Sequence, residues 1–223
     1  MIDAAFSFNP LIFLIIPIAF LIGSVPFGIL FTRGSGLDLT STGSKNIGAT
    51  NVLRTAGKLP AIMTLLCDMF KGTPSVYICS LMIAALDPGG WTSELALTIN
   101  ELWLGIAGLA AVSGHMFSVF LSFRGGKGVA TGLGVMIFYS PPTAGIMFLV
   151  WVLMAYIFRY SSLAAITAVA AMPVVLALFG ASTPKIIIGV LLALLIVFKH
   201  SANIRKLIAG TESRIGDKAK AES

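Results

Sequence analysis

The sequence predicts an all-α integral membrane protein of seven transmembrane helices, some of them short, with the N-terminus outside and the C-terminus cytoplasmic. Three observations lead there. The 223 residues are 57% hydrophobic and 11% charged, with a mean hydropathy of +0.96, whereas a soluble domain carries about 25% charged residues. Apolar runs recur at lengths suited to a bilayer. Cations gather in alternate loops. A chain of this length holds about six or seven spans and no sizeable soluble domain. It reads as one membrane-embedded domain over 1–223, with an ordered core at about 10–212 and a polar tail at 213–223.

The first run, 10–31, is too long for a signal-peptide core. Asp3 precedes it and no cleavage site follows, so it reads as a retained span. The second, 59–86, carries Asp68 and Lys71 at i, i+3, where they can neutralise each other. Intramembrane charges face protein or water; structural pairing is the first reading, and support of a site from within the second. Cys67 and Cys79, about 18 Å apart along one helical run, are too distant to bridge. The third run, 102–122, has Ser113-Gly114-His115 toward one end, and His115 reads as a packed hydrogen-bonding residue rather than a base. The fourth, 129–140, spans only about 18 Å against a core of about 30 Å. Pro141-Pro142 separates it from the fifth, 142–158, so 129–158 is either one kinked helix or a hairpin of two. Runs at 163–180 and 184–199 complete the set. Gly105, Gly108, Gly114, Gly132, Gly134 and Gly145 read as sites of close helix packing.

Charge fixes the orientation. Seven spans place Arg33, Lys45, Arg54, Lys58, Arg124, Lys127, Arg159 and the tail cations on one side. Asp3, Asp87, Glu94, Glu101 and only Lys185 fall on the other. This is the asymmetry of a cytoplasmic and an outer face; six spans would put the basic tail opposite the basic first loop. The net charge of +6 therefore reads as topology and lipid contact, and nucleic acid is not an expected partner.

Four polar clusters converge on the cytoplasmic side. The loop 43–54 (Gly-Ser-Lys-Asn-Ile-Gly-Ala-Thr-Asn-Val-Leu-Arg) is small, hydroxylated and amide-rich, with Lys45 and Arg54 near its ends and no acid inside. Such a loop can wrap an anion, and Arg54 can fork onto a phosphate. Phe123-Arg124-Gly125-Gly126-Lys127-Gly128 opens the fourth span, where helix N–H groups, the dipole and Lys127 favour an anion. It lacks the spacing of a Walker A loop. Arg159-Tyr160-Ser161-Ser162 forms a short turn, by itself an anchor with a helix cap. After the last span come Lys199, His200, Asn203, Arg205 and Lys206, then Gly210-Thr211-Glu212; a continued helix would put His200 and Asn203 on one face, though by itself the segment reads as an interfacial basic amphipathic helix.

Neither histidine has an Asp five positions on, where common glycerolipid acyltransferases place one; Phe120 and Arg205 stand there. No metal-ligand spacing, magnesium-binding Asp cluster or nucleophile elbow appears, so no metal or cofactor is expected.

As an ordered set, Gly23-Ser24-Val25-Pro26-Phe27-Gly28, the 43–54 loop, Asp68 with Lys71-Gly72, Gly114-His115, Gly125–Thr131, Arg159 with Ser161-Ser162-Leu163, and His200 with Asn203 and Thr211-Glu212 resemble the bacterial acyl-phosphate:glycerol-3-phosphate acyltransferase family (PlsY). One departure is Lys45, where that family more often has Gly. The resemblance implies a seven-helix enzyme of the bacterial cytoplasmic (inner) membrane. It would move a fatty acyl group from acyl phosphate to the 1-hydroxyl of glycerol-3-phosphate, giving lysophosphatidic acid and phosphate, the first acylation step of phospholipid synthesis. By motif position it implies Ser44, Arg54 and Lys127 at the substrate phosphates and Gly125, Gly126 and Gly128 as a backbone cradle. Asn46, Thr50 and Asn51 add substrate contacts; Ser161 or Ser162, His200 and Asn203 orient glycerol-3-phosphate; and Glu212 ties down the tail element. Partners would be acyl phosphate, glycerol-3-phosphate and membrane lipids, with the protein a monomer. The rival readings are a small organic-anion or lipid transporter and a non-enzymatic lipid-binding scaffold.

Overall fold

A computed structural model describes residues 9–86 and 94–217, which contain helices and no strand. Asp3, Asp87, Lys218 and Lys220, used in the charge argument, lie outside the described residues.

The first apolar run is a broken helix. Asn9 accepts a hydrogen bond from the Leu11 N–H at 3.1 Å and opens a 3-10 turn, Pro10–Leu14, that continues into α1 (Ile15–Ser24). Pro26 has no N–H to extend the ladder, and α2 (Phe27–Thr32) resumes beyond it. A long loop leads to α3 (Ala49–Thr55). Gly57, at φ +94°, turns the chain into α4 (Lys58–Phe70). The second run also parts, at Lys71, before α5 (Gly72–Leu86).

Helix α6 (Glu94–Met116) begins before the expected boundary at 102, taking Glu94 and Glu101 into its first turns. Only Ser140 separates α7 (Val129–Tyr139) from α8 (Pro141–Phe158). A residue before proline is pushed out of the α region, and Ser140 is extended at φ −158°. Residues 129–158 are thus two helices packed against each other rather than one kinked helix. Helices α9 (Ser161–Leu178) and α10 (Thr183–Lys199) follow, and α11 (Ser201–Ile208) leaves α10 at 61°.

Among the described residues, five helical stretches are long and apolar enough to cross a bilayer: Pro10–Ser35, Lys58–Leu86, Glu94–Leu121, Pro141–Phe158 and Ser161–Leu178. The α10–α11 pair makes a sixth if taken as one broken span, and α7 is a shorter apolar helix. Leu149, Leu153, Tyr156, Leu194 and Phe198 point outward, as hydrocarbon-facing side chains do.

Helix α6 lies at the centre, against α1, α5, α7 and α10, while α9 packs between α8 and α10. In lipid, such packing rests on close van der Waals contact. A Cβ at Gly114 would lie 2.1 Å from the Phe20 carbonyl oxygen, and one at Gly134 would lie 1.9 Å from that of Met69. Gly105, Gly108 and Gly132 likewise meet Ile188, Val135 and Ile196. Gly145 differs, with no atom within 4 Å of such a Cβ. The tail also differs from the expected boundary at 212: Ile215 donates its N–H to the Arg159 carbonyl at 2.6 Å, and Arg159 Nη2 donates to the Ile215 carbonyl at 3.1 Å. Residues 213–217 therefore dock on the α8–α9 turn.

Candidate active site

The four polar clusters meet at one end of the bundle around a cavity of about 360 Å³. The first loop enters through Ser44, Asn46, Thr50 and Arg54. Asn51 holds that loop in shape. Its Oδ1 accepts the Ser44 N–H at 2.9 Å, and its Nδ2 donates to the carbonyls of Leu39 and Thr42 at 3.3 and 3.1 Å. Asn51 is buried and does not line the cavity. In place of the expected substrate contact it has an internal role, with both amide hydrogens and its oxygen bonded within the loop and its side chain off the cavity lining. Gly43, at φ +63°, is needed here, since a Cβ would lie 2.4 Å from Asn51 Oδ1.

The glycine loop also differs from expectation. The Gly125 N–H donates to the Met116 carbonyl at 3.1 Å and the Gly126 N–H to that of His115 at 3.0 Å. These donors close the end of α6 and cannot also cradle an anion. The cavity is lined instead by Lys127 and by Gly128, Val129 and Ala130 at the start of α7, where the first N–H groups have no intrahelical acceptor. Gly128, at φ +83°, turns the chain into that helix.

Lys127 Nζ donates to Asn203 Oδ1 at 2.5 Å. Asn203 Nδ2 donates to Glu212 Oε1 at 2.7 Å, and Ser162 Oγ donates to the same oxygen at 2.7 Å. Ser161 makes a different contact, with its Oγ 3.0 Å from Thr50 Oγ1. The two serines thus divide: Ser162 holds the tail carboxylate and Ser161 meets the first loop. Burial pushes the Lys127 ammonium down to about 8; Glu212 opposes this, while Lys206 and Arg54 add to it.

His200 stands at the bend between α10 and α11, so it and Asn203 do not ride on one continuous helix face. Its ring is buried and lines the cavity, with Nδ1 2.8 Å from the Ile196 carbonyl. A carbonyl only accepts, so Nδ1 carries a proton and Nε2 is the one ring nitrogen able to take another.

Lys199 and Lys206, members of the fourth polar cluster with no expected site role, also line the cavity, together with an apolar wall that no motif marks. Leu65, Met69, Leu133, Met147, Phe148 and Trp151 supply that wall from α4, α7 and α8. Nothing in a span's composition marks which apolar side chains face a cavity; only the tertiary packing does. Lys199 donates to the Met116 carbonyl at 3.1 Å. Among the described residues no three His, Cys, Asp or Glu side chains gather to hold a metal ion. The arrangement suits an amphiphile, with cations and amides at the polar end and a hydrocarbon wall behind.

A glycerol-3-phosphate acyltransferase family model matches residues 13–210. A glycerol-3-phosphate acyltransferase of Mesorhizobium japonicum is 47% identical over 201 residues, covering 89% of this chain and 93% of the relative. One from Geotalea daltonii is 45% identical over 195 residues, covering 87% and 93%. The fold is similar to crystal structures of PlsY (YgiH), an integral membrane glycerol 3-phosphate acyltransferase. Its glycerol 3-phosphate form aligns with TM-score 0.79 at 36% identity over 92% of this chain and 96% of that one. Its lysophosphatidic acid form aligns with TM-score 0.77 at 35% identity, covering 92% and 95%.

Proposed function

The chain belongs to the glycerol-3-phosphate acyltransferase family, and from that premise we propose that it transfers a fatty acyl group from acyl phosphate to the 1-hydroxyl of glycerol-3-phosphate. The observation that carries this reading is a cavity in which Arg54, Lys127, Lys199 and Lys206 share a lining with Leu65, Phe148 and Trp151. Two phosphate-bearing substrates need cations near one another, and one of them needs a place for its acyl chain. A transporter reading is not favoured, because family membership points to acylation and the polar groups gather at one end of the bundle instead of its middle.

In this reading Arg54, Lys127 and the start of α7 bind phosphate oxygens, with Ser44 and Asn46 beside them. Ser161, Thr50, His200 and Asn203 line the same cavity and orient glycerol-3-phosphate. The 1-hydroxyl oxygen attacks the acyl carbonyl carbon, the bond from that carbon to the phosphate oxygen breaks, and inorganic phosphate leaves. The hydroxyl proton passes to a phosphate oxygen, with His200 Nε2 the protein alternative. The acyl group is already activated, so no covalent enzyme intermediate is needed. Fixing alcohol and anhydride together can supply about 7–11 kcal/mol of the acceleration, and cations on the developing charge add to it.

The charge pattern supports seven spans with α7 as a short one, the cavity end cytoplasmic and the N-terminus outside; a monomer in the bacterial inner membrane completes the reading. Supplying labelled glycerol-3-phosphate to the protein in vesicles with palmitoyl phosphate tests the reaction. Enzymatic transfer moves label into an organic-extractable lipid; label entering the lumen chemically unchanged would instead support transport.

A further inference from the structure

Beneath the glycine loop lies a buried polar cluster that the proposed reaction does not use. Asp68 Oδ1 is 2.9 Å from Lys71 Nζ and 3.7 Å from His115 Nδ1. Lys71 is anchored further by donating to the Val25 carbonyl at 3.0 Å. His115 is only 4% exposed, and its Nδ1 has no hydrogen-bond partner. Asp68 and His115 both border the cavity that Lys127 lines.

The other edge of the His115 ring faces Gly126. A Cβ there would lie 2.1 Å from His115 Nε2, 2.8 Å from Cε1 and 3.1 Å from Cδ2, so its three nearest atoms all belong to one ring. Gly126 is not in the left-handed region, so its backbone does not require glycine; the imidazole beneath it does. The Gly126 N–H also donates to the His115 carbonyl at 3.0 Å. The loop therefore rests on His115 twice, through its main chain and through its ring, and the next residue is Lys127.

We propose that His115, held beside Asp68, is a positioning residue whose ring seats Gly126 and thereby sets where Lys127 enters the cavity. This rests on the reading of Lys127 as a phosphate ligand. It gives Gly126 a role opposite to a cradle: the glycine makes room for a protein side chain, not for a ligand.

A double-mutant cycle tests it. Wild type, His115→Ala, Gly126→Ala and the double variant are purified as monodisperse protein and assayed with palmitoyl phosphate across a glycerol-3-phosphate series. His115→Ala should raise KM for glycerol-3-phosphate roughly tenfold to a hundredfold, as misplacing a binding group does, at unchanged folded yield. Gly126→Ala should lose at least as much, and the double variant should match His115→Ala within about twofold, because the clash has gone. Losses that multiply in the double variant would mean that Gly126 acts on the ligand independently, overturning the proposal. So would an unchanged KM in His115→Ala, the signature of a merely structural role. Should His115→Ala not fold, His115→Asn, which removes the ring but keeps a polar group toward Asp68, carries the same expectation. An inactive wild type would instead defeat the functional reading; thermal stabilisation by inorganic phosphate across the four proteins then makes the same comparison.

Discussion

Lys127 Nζ and Asn203 Oδ1 lie 2.5 Å apart across 76 positions of sequence. The contact joins the loop before α7 to α11, and through Glu212 it continues to Ser162 at the start of α9. An amide oxygen carries no full charge, so it holds the ammonium in place without neutralising it. Lys127 is thus oriented and partly dried while keeping its charge available to an anion.

The lowered pKa of Lys127, about 8, sets an alkaline limit. The proposed phosphate contact needs the protonated form, which is present below the pKa and lost as pH rises through it. The kcat/KM for glycerol-3-phosphate should fall above about pH 8. Since a guanidinium stays charged throughout, Lys127→Arg should move that limb upward in whatever activity it keeps. A wild-type profile flat through pH about 9.5, more than a unit past the pKa, would contradict this role.

Glu212 bridges two helices by accepting from Ser162 and Asn203. Glu212→Ala leaves both donors without that acceptor and frees the tail. Hydrogen bonds to a charged group contribute about 1.5–3 kcal/mol, so kcat/KM should drop at least about tenfold. Trypsin should also cut faster at Arg214, whose side chain now docks on Tyr160. Unchanged cleavage would separate Glu212 from tail docking.

Close packing should appear in stability. Gly134→Ala places a methyl 1.9 Å from the Met69 carbonyl oxygen, and overpacking of this kind costs about 1–3 kcal/mol. Gly145→Ala meets nothing within 4 Å and should be neutral or stabilising by about 0.5–1 kcal/mol. Thermal unfolding in detergent compares the two; equal melting temperatures would refute the packing argument.

The orientation predicts that a cysteine replacing Ser182, in a Cys67→Ala/Cys79→Ala background, reacts with an impermeant thiol reagent added outside the cell. Labelling only from the cytoplasmic side would reverse the topology.

The spans were legible because bilayer-length apolar runs are a composition signal, and the four clusters because cations and glycines stand out between them. The breaks at Pro26 and Lys71 interrupt those runs without ending their hydropathy. The roles of Asn51, Gly125 and Gly126 were hidden for a different reason. Each depends on which partner a distant segment supplies, whether a loop carbonyl or the end of α6. Docking of residues 213–217 likewise depends on the Arg159 backbone, which no local pattern announces.

In the proposed reaction one cavity joins acyl phosphate to glycerol-3-phosphate. The direct measurement is product stoichiometry from purified protein supplied with palmitoyl phosphate and glycerol-3-phosphate, with palmitoyl coenzyme A as the competing donor. Palmitoyl phosphate should give equal amounts of lysophosphatidic acid and inorganic phosphate, and the coenzyme A ester none. Rates for Lys127→Ala and Arg54→Ala should be at least about a hundredfold lower, the scale of losing an electrostatic donor to the transition state. Lysophosphatidic acid formed only from the coenzyme A ester, or wild-type turnover in both variants, would contradict the proposed reaction.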